Sequence, residues 1–253
     1  MRYRAALHPD HVHYAAGSTA ESMDTEWLNV LRSGCVALGV GMDERQIQQC
    51  GRFCQMLYDW NTRLNLTRIP APEANELHIL DSLSIDAAVD MSRGGLGLDI
   101  GTGAGVPGIP LCIAWPSWRF VLADGTAKKL RFVDAALTEL QLTNAETVHA
   151  RAEDLARNRA MQGRFDLVVA RAVAPMEKLA KWMLPFVRAG GRAVAYKSGD
   201  AMDEIRDAEP GIRDSGGTVS SVVRVRLPIS GAERALAVIA RGNARTLQSR
   251  RHA

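Results

Sequence analysis

The stretch Gly97-Leu98-Asp99-Ile100-Gly101-Thr102-Gly103-Ala104-Gly105-Val106-Pro107-Gly108 constrains the fold of this chain more than any other. A short apolar run ends in an acid, three glycines alternate, and a proline opens a second apolar segment. This is the pattern of a strand, a tight turn and a helix start. Glycine in such a turn adopts positive φ and leaves no Cβ between backbone and ligand. Proline suits the first turn of a helix, where its missing N–H costs nothing. The free N–H groups of that helix start favour a polar or anionic ligand group.

Glycine spacing separates the possible cofactors. The dinucleotide fingerprint places its third glycine at the sixth position, which here is Val106. The observed Gly101-Thr102-Gly103-Ala104-Gly105, preceded by Asp99, is similar instead to the first motif of Rossmann-like S-adenosylmethionine (SAM) methyltransferases. Glycine turns of this kind also occur without ligands, so the surrounding chain has to decide.

That chain alternates strand and helix. Apolar strands are predicted near 96–100, 119–123, 145–149, 165–170 and 191–196, separated by helices near 107–115, 127–140, 153–161 and 175–188. Near-continuous apolar strands between helices indicate an α/β fold, a parallel sheet covered on both faces. A further helix is expected around 201–209. Two β-segments, 219–227 and 235–240, then flank the turn Pro228-Ile229-Ser230-Gly231. An antiparallel C-terminal hairpin on a mostly parallel, seven-stranded sheet is the Rossmann-like methyltransferase arrangement, and the ordinary dinucleotide fold lacks it.

Ahead of the sheet lies a helical cap region, assigned to 24–92. Asp43 and Gln46 are spaced as a capping box, and Ile47, Cys50, Cys54, Leu57, Asn61 and Leu64 then form an amphipathic stripe on which Asn61 is the polar exception. A second helix is predicted from about Glu73 to Val89. Residues 1–23 lack periodicity and read as a mobile extension; 93–241 form the catalytic domain, and 242–253 an Arg-rich tail. The net charge is +3, and residues 241–253 carry four arginines and no acid, which leaves the rest of the chain at −1. A nucleic acid would therefore be held by a local patch. The four cysteines have no metal-ligand spacing and read as buried packing, so no metal is expected. No signal-peptide or membrane-spanning run is present in the sequence; a cytoplasmic monomer with no membrane partner is expected.

Candidate ligand-binding residues follow the strand ends. Asp124 stands 23 residues after Gly101, placed to accept hydrogen bonds from ribose hydroxyls, or else a solvated strand-end acid. Lys128, Lys129 and Arg131 either contact phosphate or face solvent. The turn at Ala152 and Glu153 reads an adenine edge or caps a helix; Lys197 meets substrate phosphate or water; His78 and Asp81, three apart, are a helix-neighbour pair or a catalytic one. After the fourth strand there is neither the Asn/Asp-Pro-Pro-aromatic turn of base-amino methyltransferases nor a Pro-Cys nucleophile; Arg171 stands there, as an ion-pair partner or a positioning cation. Guanine N7 needs neither device. Its lone pair is free in the ring plane, and transfer to it needs in-line placement more than a base.

Taken in order, the segments 60–67 (Trp60-Asn61-Thr62-Arg63-Leu64-Asn65-Leu66-Thr67), 78–83 (His78-Ile79-Leu80-Asp81-Ser82-Leu83), 99–108, 171–175 and 233–239 resemble the RsmG (GidB) family of small-subunit ribosomal RNA guanine-N7 methyltransferases over about residues 43–240. The resemblance implies that Gly101 and Val106, with the rest of the motif (Asp99, Thr102, Gly103, Gly105), contact SAM, that Ala152 and Glu153 hold its adenosine end, and that Arg171 lines the site without any residue acting as general base. It implies a guanine in the 530 loop of 16S rRNA as target, in the small ribosomal subunit or its assembly intermediate. Asn65, Lys128, Lys129, Arg131 and Lys197 are the candidate RNA contacts. Two departures stand out: Asp124 is followed by Gly125 where Asp-Ser is common in the family, and both termini are extended. A catalytically silent ribosome-assembly factor and an NAD(P)-binding oxidoreductase are the competing readings.

Overall fold

In the computed structural model, residues 25–172 and 174–242 are described. The predicted extension 1–23, and all of the Arg-rich tail beyond Gly242, lie outside them. Seven strands form one sheet in the order β3-β2-β1-β4-β5-β7-β6. They are β1 (Gly95–Ile100), β2 (Trp118–Asp124), β3 (Ala145–His149), β4 (Phe165–Arg171), β5 (Val187–Ser198), β6 (Gly217–Arg226) and β7 (Glu233–Arg241). The first five run parallel; β7 pairs antiparallel with both β5 and β6. The predicted fold class, closing hairpin included, is the one found.

The alternating faces of the strands feed two cores. On one face Phe120, Leu122, Leu167, Val169, Val194 and Leu236 pack with the N-terminal helices α1 (Thr25–Ala37) and α2 (Glu44–Leu64) and with α4 (Gly108–Ala114) and α5 (Ala127–Glu139). On the other, Leu98, Ile100, Val121, Val168 and Ala170 pack with α6 (Ala152–Arg157), α7 (Met176–Met183) and α8 (Met202–Asp214). The cap therefore shares its core with the sheet. Burial on both faces explains why these strands read as continuous apolar runs.

The capping box forms as predicted. Gln46 N–H donates to Asp43 Oδ1 and Asp43 N–H to Gln46 Oε1, both at 2.8 Å. Ile47, Cys50, Cys54 and Leu57 are buried, and burial pushes the Cys50 and Cys54 thiols up, so they act as apolar packing. Asn61 earns its place on the stripe: it accepts from Thr67 N–H at 2.9 Å and donates to the Thr67 carbonyl at 3.1 Å, pinning the loop after α2.

The single helix expected over 73–89 is broken. A 3-10 turn (Ala71–Glu73), a π-helical segment (Asn75–Leu80), one α turn, α3 (Asp81–Leu83), and another 3-10 turn (Ser84–Ala87) replace it. Ser82 and Ser84 hydroxyls bond to the His78 and Asp81 carbonyls, competing with the regular ladder. Other groups of this segment are tied to partners far along the chain. Glu76 Oε1 accepts the N–H groups of Ile229 and Ser230 in the β6–β7 turn, and Tyr196 donates to the Ser82 carbonyl. Smaller corrections follow the same logic: Pro107 sits just outside α4 as its cap residue rather than in its first turn, α6 stops at 157, and β5 starts at 187 rather than 191. Arg241, grouped above with the basic tail, instead ends β7 and donates to the Pro185 and Val187 carbonyls.

Candidate active site

The carboxyl ends of β1, β2 and β4 and the turn after β3 meet in a cleft of about 360 Å³. Its walls include Gly101, Asp124, Lys129, Ala152, Glu153 and Arg171, six residues singled out from the sequence. Parallel strands point their free ends and following turns at the same side of a sheet, which is why ligands gather there.

The glycine turn and Asp124 form one unit. Asp124, 8% exposed, accepts the Gly103 N–H at 2.9 Å through one oxygen and the Thr126 N–H at 2.7 Å through the other. It is thus no solvated strand-end acid. It ties the turn after β1 to the start of α5, and each oxygen keeps a lone pair for a further donor. Gly101, Gly103 and Gly105 all have positive φ. A Cβ at Gly103 would meet nothing closer than 3.8 Å, whereas one at Gly105 would fall 2.5 Å from Ile109. The first position is sterically open, although Gly103, Thr102 and Asp99 do not line the cleft, and the second is closed by packing.

Beneath the turn lies Asp99, fully buried. Its Oδ2 accepts from Thr102 Oγ1 at 2.6 Å and Gly108 N–H at 2.9 Å, while Oδ1 has no partner among the described residues. Burial pushes its carboxyl up to about 6, the two hydrogen bonds offsetting only part of that. Val106, expected at the cofactor, packs into the core at 7% exposure and is not part of the cleft wall; neither is Gly105.

Arg171 lines the cleft and is also an ion-pair partner. Its Nη1 donates to the Leu77 carbonyl at 2.5 Å and to Asp81 Oδ2 at 3.0 Å, while Arg234 holds Asp81 Oδ1 at 3.1 Å. Asp81 therefore answers two arginines from β4 and β7, not His78. The histidine Nε2 lies 3.1 Å from Thr67 Oγ1. Burial, then the charge of Arg171, lowers His78 to about 3, so the ring is neutral throughout the physiological range.

The candidate RNA contacts separate into two kinds. Asn65, the left-handed cap of α2, and Lys128 and Arg131 on α5 are exposed, and the three basic residues Lys128, Lys129 and Arg131 form no ion pair among the described residues. Lys197 is different. Its side chain is 12% exposed and its ammonium is committed to Glu204 at 2.7 Å and the Ala174 carbonyl at 3.1 Å. Sequence reading missed Arg151 and Trp182 in the cleft wall, and Arg234 and Glu204 behind it. Arg151 adjoins Ala152 in the turn already marked; the others arrive through long-range packing that leaves no local pattern.

A parallel α/β sheet closed by an antiparallel β7, with a glycine turn and a strand-end acid at the mouth of its cleft, defines the class of Rossmann-like SAM-dependent methyltransferases. Within that class, the chain belongs to the GidB family, rRNA small subunit methyltransferase G, whose family model matches residues 46–234. It is 38% identical over 207 residues to the ribosomal RNA small subunit methyltransferase G of Lachnoclostridium phytofermentans, covering 81% of this chain and 86% of that one. With the protein of the same name from Gloeobacter violaceus it shares 41% over 203 residues, 80% and 81% of the two chains. Among solved structures, a ribosomal protein L11 methylase from Lactobacillus delbrueckii matches with a TM-score of 0.49 at 16% identity, over 65% of this chain and 78% of that one. Family membership sets aside the oxidoreductase reading.

Proposed function

We propose that this protein transfers the methyl group of SAM to N7 of a guanine in the 530 loop of 16S rRNA, on the small ribosomal subunit or its assembly intermediate. The observation that carries the cofactor side is the bonding of Asp124 to Gly103 N–H at the mouth of the cleft. The turn is held open by the acid that offers its remaining lone pairs to a ribose. Asp99, buried beneath the turn and outside the cleft wall, braces that turn through Thr102 and the Gly108 N–H. When bound, SAM supplies an electrophilic methyl group.

The residues of the chain position and shield; none has to take a proton. Guanine N7 carries no hydrogen and becomes cationic on methylation, so a general base has no work there. His78 fits this reading, being buried, neutral and bonded to Thr67. Arg171, held by Asp81 and the Leu77 carbonyl, is fixed at the wall where it orients ligands through their oxygen atoms. Lys128, Lys129, Arg131 and Asn65 present the RNA-facing rim.

The test is methylation of purified small subunits with radiolabelled SAM, followed by nucleoside analysis and mapping of the modified base. The expected product is N7-methylguanine in the 530 loop, formed at a single-turnover rate that is flat across pH 6–9. Methyl on another atom, or a rate rising with an apparent pKa near 7 that vanishes in His78→Ala, would overturn the target and the chemistry together. Binding of SAM and subunits without any methyl transfer would return the silent assembly factor as the correct reading.

A further inference from the structure

Lys197, read from the sequence as a cation for phosphate, is built into something else. It is the penultimate residue of β5, and its ammonium donates to Glu204 Oε1 and to the Ala174 carbonyl. The same Glu204 oxygen accepts the Met176 N–H at 2.6 Å, so a residue in the first turn of α8 caps the start of α7. Two contacts, tied together by the Lys197–Glu204 pair, thus hold Ala174, in the short loop after β4, and the first residue of α7. The loop's other end is held as firmly: Arg171 is pinned to the Leu77 carbonyl and Asp81. Between the two anchors stands Ala172, at φ +55° and in the wall of the cleft. A left-handed backbone is unfavourable for a residue with a Cβ, and it persists where surrounding contacts over-determine it.

We propose that the Lys197–Glu204 pair is a positioning clamp for methyl transfer, fixing Ala174 and the start of α7 beside Arg171 and Ala172, which meet the reacting groups. Neither residue touches substrate. The clamp works because one carboxylate oxygen serves both the ammonium and a backbone N–H: losing Lys197 frees the Ala174 carbonyl and strips Glu204 of its counter-charge, and losing the Glu204 charge weakens its hold on both Met176 and Lys197. This inference rests on the transfer to ribosomal RNA proposed above.

Lys197→Met and Glu204→Gln distinguish the clamp from a phosphate contact by direction. A clamp requires that both substitutions lower the turnover number on small subunits at saturating SAM by about tenfold or more. The double variant is then no worse than the poorer single one. KM for subunits changes less than threefold, and the salt dependence of subunit binding keeps its slope. A phosphate contact requires the opposite: Lys197→Met weakens binding with a shallower salt slope, while Glu204→Gln frees the ammonium and tightens binding. That result, or unchanged turnover with only a lower melting temperature, overturns the clamp. If Lys197→Met does not fold, Lys197→Arg decides, because it keeps the charge a phosphate needs while altering the geometry toward Ala174; turnover falls for a clamp and persists for a phosphate contact. Hydrogen exchange at the Met176 amide separates the two proposals. Faster exchange in Glu204→Gln, alongside a wild type that methylates no subunits, refutes the reaction and not the clamp; unchanged exchange refutes the clamp whatever the reaction.

Discussion

At the scale of single residues, two carboxylates hold the glycine turn and do so differently. Asp124 is a partly satisfied acid whose oxygens hold two backbone N–H groups. Hydrogen bonds to a charged acceptor contribute about 1.5–3 kcal/mol each, so Asp124→Ala is expected to weaken SAM at least tenfold. It should also lower the melting temperature of the free protein, since the turn loses its tether. Isothermal titration and thermal denaturation measure both; unchanged SAM affinity would place the ribose contact elsewhere. Asp99 is a buried acid raised to about 6 from 3.8. Its folded pKa exceeds its unfolded one, so the fold holds the proton more tightly. Stability from this group is present below about pH 4, falls as pH rises through the window between the two values, and is flat above. The melting temperature of wild type relative to Asp99→Asn is therefore expected to decline between about pH 4 and pH 7. A difference independent of pH would show that the carboxyl is ionised throughout.

At the scale of elements, the broken segment 71–87 is the joint between cap and sheet. Its π turn breaks the regular i→i−4 ladder, and Asp81, on the turn that follows, meets β4 and β7 at once. π-helical turns recur at functional sites because they re-aim side chains. The Arg171–Asp81 pair, at 15% and 7% side-chain exposure, is buried enough that removing one partner is costly. Typical losses are about 3–5 kcal/mol; Arg234 still answers Asp81, so a loss of about 3 kcal/mol is expected for Arg171→Ala. Urea denaturation reads that number, and turnover and SAM affinity are expected to fall with it. A loss below about 1 kcal/mol would mean that Arg234 alone satisfies Asp81.

At the scale of the whole molecule, net charge says little about how RNA is held. The chain totals +3 with an Arg-rich end, yet Lys128, Lys129 and Arg131, on the helix that follows the cleft, have no acid partner among the described residues. Neutralising all three is expected to weaken subunit binding and reduce the slope of log affinity against log salt by about 2, at about 0.7 per single-strand phosphate contact. SAM affinity should not change when only Lys128 and Arg131, which do not line the cleft, are neutralised. Filter binding across a salt series checks this; an unaltered slope would move the RNA path to another face. Among the described residues, no helix is long and apolar enough to cross a membrane.

Local chemistry was enough to determine much of this protein. Positive-φ glycines, continuous apolar strands and the switch to a terminal hairpin are written in neighbouring residues, so the sheet class, the glycine turn, the capping box at Asp43 and the acid at Asp124 were all legible. Side-chain partnership was not. Asp81 finds Arg171 and Arg234 at separations of 90 and 153 residues, and Glu76 finds the β6–β7 turn across 153. The helix predicted over 73–89 broke where the Ser82 and Ser84 hydroxyls take carbonyls of its own ladder while Glu76 and Asp81 turn to those distant partners. Lys197 looked like any strand-end lysine; only the packing of α8 against α7 and β6 brought Glu204 to it, and its side chain is left 12% exposed. Periodicity records which face of an element is buried. Which charge meets which is decided when elements far apart in the chain pack together, because an ion pair depends on a distance that the order of residues does not contain.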